Sequence, residues 1–254
     1  MNQKFEGVVL FLKPYKDKDA LVKIFTKEFG TKMFFIKGYY SSSHHKLSKY
    51  LIPLTKNQYV GKINVSGLSF ITEADALLTN MRLNNDYYKQ AYTMYISQLF
   101  DASLEDNRQS LNRYKLFTEI LDKISQDSPV EILTIYTEIH LLPYFGVHLN
   151  WKDCQICHQS QHPMDMSIVK GGFICHQHYF EDPYRLQIDP KAIHVARILA
   201  NIQLNQVGNI DISQNTFNEL RRLMDAIYEE YVGIHLKAKS FIKKLNDFER
   251  KLSE

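Results

Sequence analysis

The sequence predicts an α+β protein: a small all-β barrel, then a mostly helical domain with a short β-ribbon set into it. Three observations predict it. Apolar residues alternate with period two through residues 4–75. From about residue 80 the apolar period becomes helical. All three cysteines fall within residues 154–175.

The first strand is expected over residues 5–13, ended by the charged turn 14–19. Residues 20–27 form the second, with Val22 and Ile24 on one face and Leu21, Lys23, Phe25 and Lys27 on the other. Residues 28–30 turn the chain, 31–37 make a third strand, and Gly38 ends it. A polar loop over residues 39–49 contains Ser41, Ser42, Ser43, His44 and His45. Residues 57–65 and 68–74 complete five strands in about seventy-five residues, which suits an OB-fold. An SH3-like barrel has a similar signature.

Helices are expected over residues 86–103 and 111–124. Ser128-Pro129-Val130-Glu131 reads as a capping box that opens a helix to about residue 142. Asp189-Pro190 opens another, and Thr216 with Glu219 reads as a second capping box before a helix over 217–231. Gly233 marks a break, and residues 237–251 form a basic amphipathic helix. His140, inside an apolar helix, is expected to be a core histidine. Tyrosines and phenylalanines at helical spacing are expected to pack.

Between these helices Cys154 and Cys157 form a C-x2-C pair, and after seventeen intervening residues Cys175 and His178 form a matching C-x2-H pair. Two such pairs at this separation are the spacing of a tetrahedral zinc site. His178 keeps the x2 spacing; His176 and His158 are adjacent alternatives. Residues 166–169 and 173–175 supply two extended arms, with turn chemistry at Lys170-Gly171-Gly172. Four protein ligands leave no open position, so the Zn2+ is expected to be structural. The ribbon should brace the join of two helical groups.

The chain has 254 residues, 44% hydrophobic and 23% charged, an ordinary globular composition. No apolar run reaches membrane-spanning length and the N-terminus shows no signal-peptide pattern, so a cytoplasmic location is expected. The net charge of +3 hides an asymmetry: residues 1–79 hold twelve lysines, no arginine and six acids, and the remainder is net negative. A basic barrel points to a polyanionic partner. There is no phosphate-binding glycine loop, no H-E-x-x-H and no nucleophile motif, so no enzyme is expected and no catalytic residue is nominated.

E-G-V-V-L at residues 6–10, Y-K-D-K-D-A-L-V at 15–22, I-F-T-K-E-F-G at 24–30 and K-G at 37–38 are similar to the start of the RecO family of bacterial recombination mediators. L-I-P-L-T at 51–55 resembles its post-loop segment, and T-E-I-H-L-L-P-Y-F-G at 137–146 resembles the helix entering its zinc module. Y-V-G-I-H-L-K-A-K-S at 231–240 resembles its C-terminal signature. The chain departs from the family in using histidine at the last metal position, where four cysteines are common, and lysine where arginine is frequent.

The resemblance implies an OB-fold over residues 1–79 that binds DNA, and a helical domain over 80–254 with the zinc module at about 150–182. It implies binding of single- and double-stranded DNA, annealing of complementary strands and partnership with RecR. It also implies RecA loading onto DNA coated by single-stranded-DNA-binding protein, whose C-terminal tail the helical domain would bind. The turn after strand one and the loop after strand three flank an OB-fold's binding surface. The DNA contacts expected there are Lys13, Lys16, Lys18, Lys32, Lys37, Lys46 and Lys49, with Phe34, Tyr39 and Tyr40 as stacking candidates, Phe34 being equally a candidate for the core. The rival readings are a protein-interaction adaptor with a nucleic-acid-binding barrel, a metal-dependent hydrolase, and a factor gripping nucleic acid with the ribbon. Against the last, residues 150–182 hold only Lys152 and Lys170 against Asp153, Asp165, Glu181 and Asp182.

Overall fold

The alternating N-terminal segment folds into β1 (Gln3–Tyr15), β2 (Asp19–Thr26), β3 (Gly30–Ile36), β4 (Lys56–Lys62) and β5 (Ser69–Ala76). In this computed structural model residues 1–41, 46–77, 86–208, 210 and 212–253 are described. Ser42, Ser43, His44 and His45 of the expected polar loop, and the expected domain boundary at 79/80, lie outside the described residues.

The strands close into a barrel in the order β1-β2-β3-β5-β4, with β4 returning to β1. Among the described barrel strands the β3–β5 pairing is parallel and the others are antiparallel. This is the expected OB-type barrel. A register shift between Val9 and Phe11 bends β1, so it pairs with β4 through its first half and with β2 through its second. Gly7 sits at that corner, paired with both Thr26 and Asn57. A β-carbon there would lie 2.5 Å from Ile24 Cγ2.

Alternation sends Ala20, Val22 and Ile24 of β2 and Phe34 and Ile36 of β3 into the barrel, with Phe5, Val9 and Tyr59. Phe5 stacks between Phe34 and Tyr59, at ring separations of 5.3 and 5.5 Å. The Tyr59 hydroxyl donates to the Tyr50 carbonyl at 2.7 Å, so its polar end is satisfied.

Two compact units emerge: residues 1–127 with 237–254, and residues 128–236. The first holds the barrel with α1 (Tyr87–Ser103), α2 (Leu111–Ser125) and α6 (Lys237–Ser253). Asp86 caps α1 by accepting from the Lys89 amide. Phe25, outward on β2, is buried against Tyr114 and Phe117 of α2. The Tyr114 hydroxyl donates to Glu6 of β1 at 3.0 Å. The α6 helix packs on α1, where the Ala238 amide donates to the Gln98 side chain.

The second unit is built on α3 (Val130–Leu141), which is buried along most of its length, with α4 (Pro190–Asn201) and α5 (Gln214–Ile227) against it. Glu138 of α3 is fully buried and pairs with Arg221 of α5 at 2.7 Å. The Tyr228 hydroxyl donates to the Glu138 carbonyl. His140 is partly buried, stacks near Tyr136 and bonds the Leu199 carbonyl.

Asp189 caps α4 as expected, with Pro190 at the first helical position. Two other caps differ. Pro129 itself occupies the cap position of α3, which therefore has no side-chain cap. Ser213, not Thr216, caps α5, accepting from the Thr216 amide at 3.2 Å. Glu219 instead accepts from the Asp189 amide and pairs with Arg222. A turn of π-helix follows α5 and ends at Gly233, at φ 67°. Among the described residues no helix is long and apolar enough to cross a membrane.

Candidate metal centre and candidate nucleic-acid interface

Between α3 and α4 the chain forms a two-stranded ribbon, β6 (Met164–Ser167) and β7 (Gly172–Cys175). Gly171, at φ 68°, turns the chain between the arms. The Gln155 amide donates to the Phe173 carbonyl at 2.8 Å, tying the Cys154–Cys157 turn to β7. The Gln155 side chain packs over Gly172, where a β-carbon would lie 2.5 Å from its Nε2 and make it shift. Cys175 ends β7, and the helical turn His176–Glu181 carries His178 back over it.

The result is one cluster. The donor atoms of Cys154, Cys157, Cys175 and His178 all lie within 4.8 Å of one another. His178 Nδ1 is 3.2 Å from Cys175 Sγ and 3.7 Å from Cys154 Sγ, and Cys157 Sγ is 3.7 Å from Cys175 Sγ. A tetrahedron with metal–sulfur bonds of about 2.3 Å has sulfur–sulfur edges of about 3.8 Å. The other two histidines point elsewhere: His176 packs edge-on against His162, and His158 faces Asp153.

The electrostatics ask for a cation. Burial opposes charge on Cys154, yet the backbone amides around it, Ile156 and Cys175 among them, pull its thiol down to about 6. Burial pushes the Cys175 thiol up, and the neighbouring sulfurs push it further. Three adjacent sulfurs can all ionise only with positive charge among them. The donor set fits a metal ion. Below it Asp165, nearly buried, accepts from the amides of Gln187 and Ile188 and pairs with Arg185, whose guanidinium lies 4.0 Å over the Tyr179 ring. These contacts fasten the segment after His178 to β6.

On the barrel the expected lysines divide. Lys13, Lys16 and Lys18 are exposed at the β1–β2 hairpin, with Lys16 at φ 53° in the tight turn. Lys37 is exposed just past β3. The two segments are stitched together: Gly38 donates its amide to Asp19 at 2.7 Å, and Tyr40 to the Lys18 carbonyl at 2.8 Å. Lys46 and Lys49 are exposed on the segment leading to β4, which is anchored by buried Leu47 and Leu51. Lys32 does not join them. It faces inward with Phe34, is 5% exposed, and donates to the Asn64 carbonyl; burial lowers its pKa.

Of the aromatic residues nominated, Phe34 is buried in the core, while Tyr39 and Tyr40 sit edge-to-face in the loop after β3. Strand parity turns other rings outward. Register aligns Lys13, Leu21, Phe35 and Phe70 across β1, β2, β3 and β5. Phe35 meets Tyr15 on one side and Phe70 on the other, at 6.1 and 6.2 Å. Sequence reasoning missed this row, although placing Phe34 inside the barrel would have turned Phe35 outward. At the far end of the same face Lys23 pairs with Asp101 and Asp106; these carboxylates outweigh its burial and raise its pKa.

A closed five-stranded OB-type barrel with clustered lysines, followed by helices that carry a Cys3His ribbon, defines a class: an OB-fold protein whose helical part could hold a metal ion. Within that class the chain belongs to the RecO family. Its residues 1–79 match the family model "Recombination protein O N terminal", and residues 84–240 match "Recombination protein O C terminal". It is 35% identical to the DNA repair protein RecO of Enterococcus faecalis, over 97% of this chain and 94% of that one. It is 37% identical to that of Streptococcus agalactiae, over 95% and 94%, and 34% identical to that of Streptococcus pneumoniae, over 98% and 96%.

Proposed function

We propose that this chain is a recombination mediator in DNA repair rather than an enzyme. It would bind single- and double-stranded DNA through the barrel, anneal complementary strands, and act with RecR to load RecA onto DNA coated by single-stranded-DNA-binding protein. The observation that carries this reading is the joined lysine cluster Lys13, Lys16, Lys18 and Lys37 on an OB-type barrel, in a chain that matches RecO proteins along nearly its whole length. Lys46 and Lys49 extend the proposed phosphate track; Lys32 is left out because it is buried.

In this reading the lysines neutralise backbone phosphates without selecting sequence. Residues 1–79 carry the DNA site, and the more acidic remainder meets protein partners, the tail of single-stranded-DNA-binding protein among them. Cys154, Cys157, Cys175 and His178 hold one Zn2+, which is structural because four protein donors close its coordination. The protein works in the bacterial cytoplasm, at the nucleoid. The test is annealing of complementary labelled oligonucleotides by the full chain. Annealing well above the spontaneous rate supports the reading; the spontaneous rate, with no gel shift on either strand, overturns it.

A further inference from the structure

We propose that Tyr15, Phe35 and Phe70 form a base-stacking strip that makes the barrel bind single-stranded DNA in preference to duplex. The inference rests on the DNA-binding reading above and assigns it a second, uncharged component. These rings lie on three strands that share the barrel's outer face. They hold one another edge to face, at interplanar angles of 88° and 80°, so their orientation is set before a ligand arrives. Tyr15 is 37% and Phe70 41% exposed, values at which a large ring still offers a face to a ligand.

The surroundings select the ligand. Lys13 stands in the same cross-strand row, while Lys16 and Lys37 edge the strip at the hairpin end. The Lys16 ammonium already lies 5.5 Å over the Tyr15 ring and that of Lys13 5.7 Å over Phe11, so cations and π-faces share one surface. Of the acids in the hairpin, Asp19 is engaged by the Gly38 amide. At the other end the Lys23 clamp to Asp101 and Asp106 closes the face with carboxylates, so a strand would run along the hairpin side. A ligand that is anionic along its length and aromatic at intervals fits this surface. Duplex DNA hides its base faces within its own stack; a single strand exposes them.

The test compares the full chain with the triple variant Tyr15→Leu, Phe35→Leu, Phe70→Leu. Leucine keeps the apolar packing and removes the rings, and thermal melting checks the fold. Probes are labelled oligothymidylate, an abasic strand of the same length, and duplex, each read by fluorescence anisotropy across a salt series. The expected result is that the unaltered chain binds oligothymidylate more tightly than the abasic strand. The variant should lose roughly tenfold or more on oligothymidylate, with little change on the other two and the same salt slope. Equal binding of oligothymidylate and abasic strand by the unaltered chain would overturn the strip while leaving the lysine reading intact. A variant that weakens equally on all three probes would also overturn it. No binding of any probe by the unaltered chain would remove the DNA-binding reading itself.

Discussion

The backbone amide of Tyr40 donates to the carbonyl of Lys18 at 2.8 Å. That single bond ties the segment after β3 to the β1–β2 hairpin. With the Gly38–Asp19 bond beside it, lysines nineteen or more residues apart in sequence share one end of the barrel. Their charge therefore acts as a cluster.

The first prediction concerns the metal. Protein purified without chelator should carry about one zinc per chain, bound by three sulfurs and one nitrogen. Cys154→Ser should lower the melting temperature by at least about 5 °C, because ligation supplies folding energy to this unit. DNA affinity should hold, since the lysines lie in the other unit. Elemental analysis and calorimetry check both; protein free of zinc, with an unchanged melting temperature in the variant, would contradict the assignment.

The buried pair Glu138–Arg221 gives a second prediction. Arg221→Met removes the guanidinium paired with a carboxylate that has no exposure, and should cost about 3–5 kcal/mol in urea unfolding. Adding Glu138→Gln should restore part of that loss, because the buried charge is removed.

His140 makes stability depend on pH. Burial lowers its pKa below the ordinary 6.5, and the Leu199 carbonyl only partly offsets this. Above 6.5 the residue is neutral in both folded and unfolded chains, and its contribution is constant. As pH falls below 6.5 the unfolded chain takes up a proton before the folded one does, so stability declines until the folded pKa is reached. His140→Gln should remove that part of the acid sensitivity, seen as a flatter melting temperature between pH 6.5 and pH values just below. An identical slope in the variant would contradict it.

Much of this was legible beforehand, and the exceptions have physical causes. Period-two alternation at Ala20, Val22 and Ile24 exposed the barrel because each faces one core. The convergence of Cys154, Cys157, Cys175 and His178 into one group that could hold a metal ion was legible from spacing, because two i, i+3 turns can converge on one point. Lys32 was misassigned because composition makes a lysine look exposed, whereas strand parity places it inside, its ammonium reaching the Asn64 carbonyl. Phe34, a stacking candidate that could equally be core, proves to be core, and the same strand parity turns its neighbour Phe35 outward. Thr216 passed for a cap because Ser213, three residues earlier, offers the same chemistry to the same helix. The hydrogen bonds that gather the hairpin and the β3 loop join residues far apart in sequence, and no local pattern announces them.

The central claim is that the hairpin lysines bind DNA through its phosphates. The most direct measurement is fluorescence anisotropy of a labelled oligonucleotide across a salt series, comparing the full chain with the Lys13→Ala, Lys16→Ala, Lys18→Ala variant. Each phosphate contact contributes about 0.7–0.9 to the slope of log affinity against log salt, so the variant should bind more weakly with a slope flatter by about two units. An unchanged slope in a variant whose circular dichroism shows an intact fold would contradict the account.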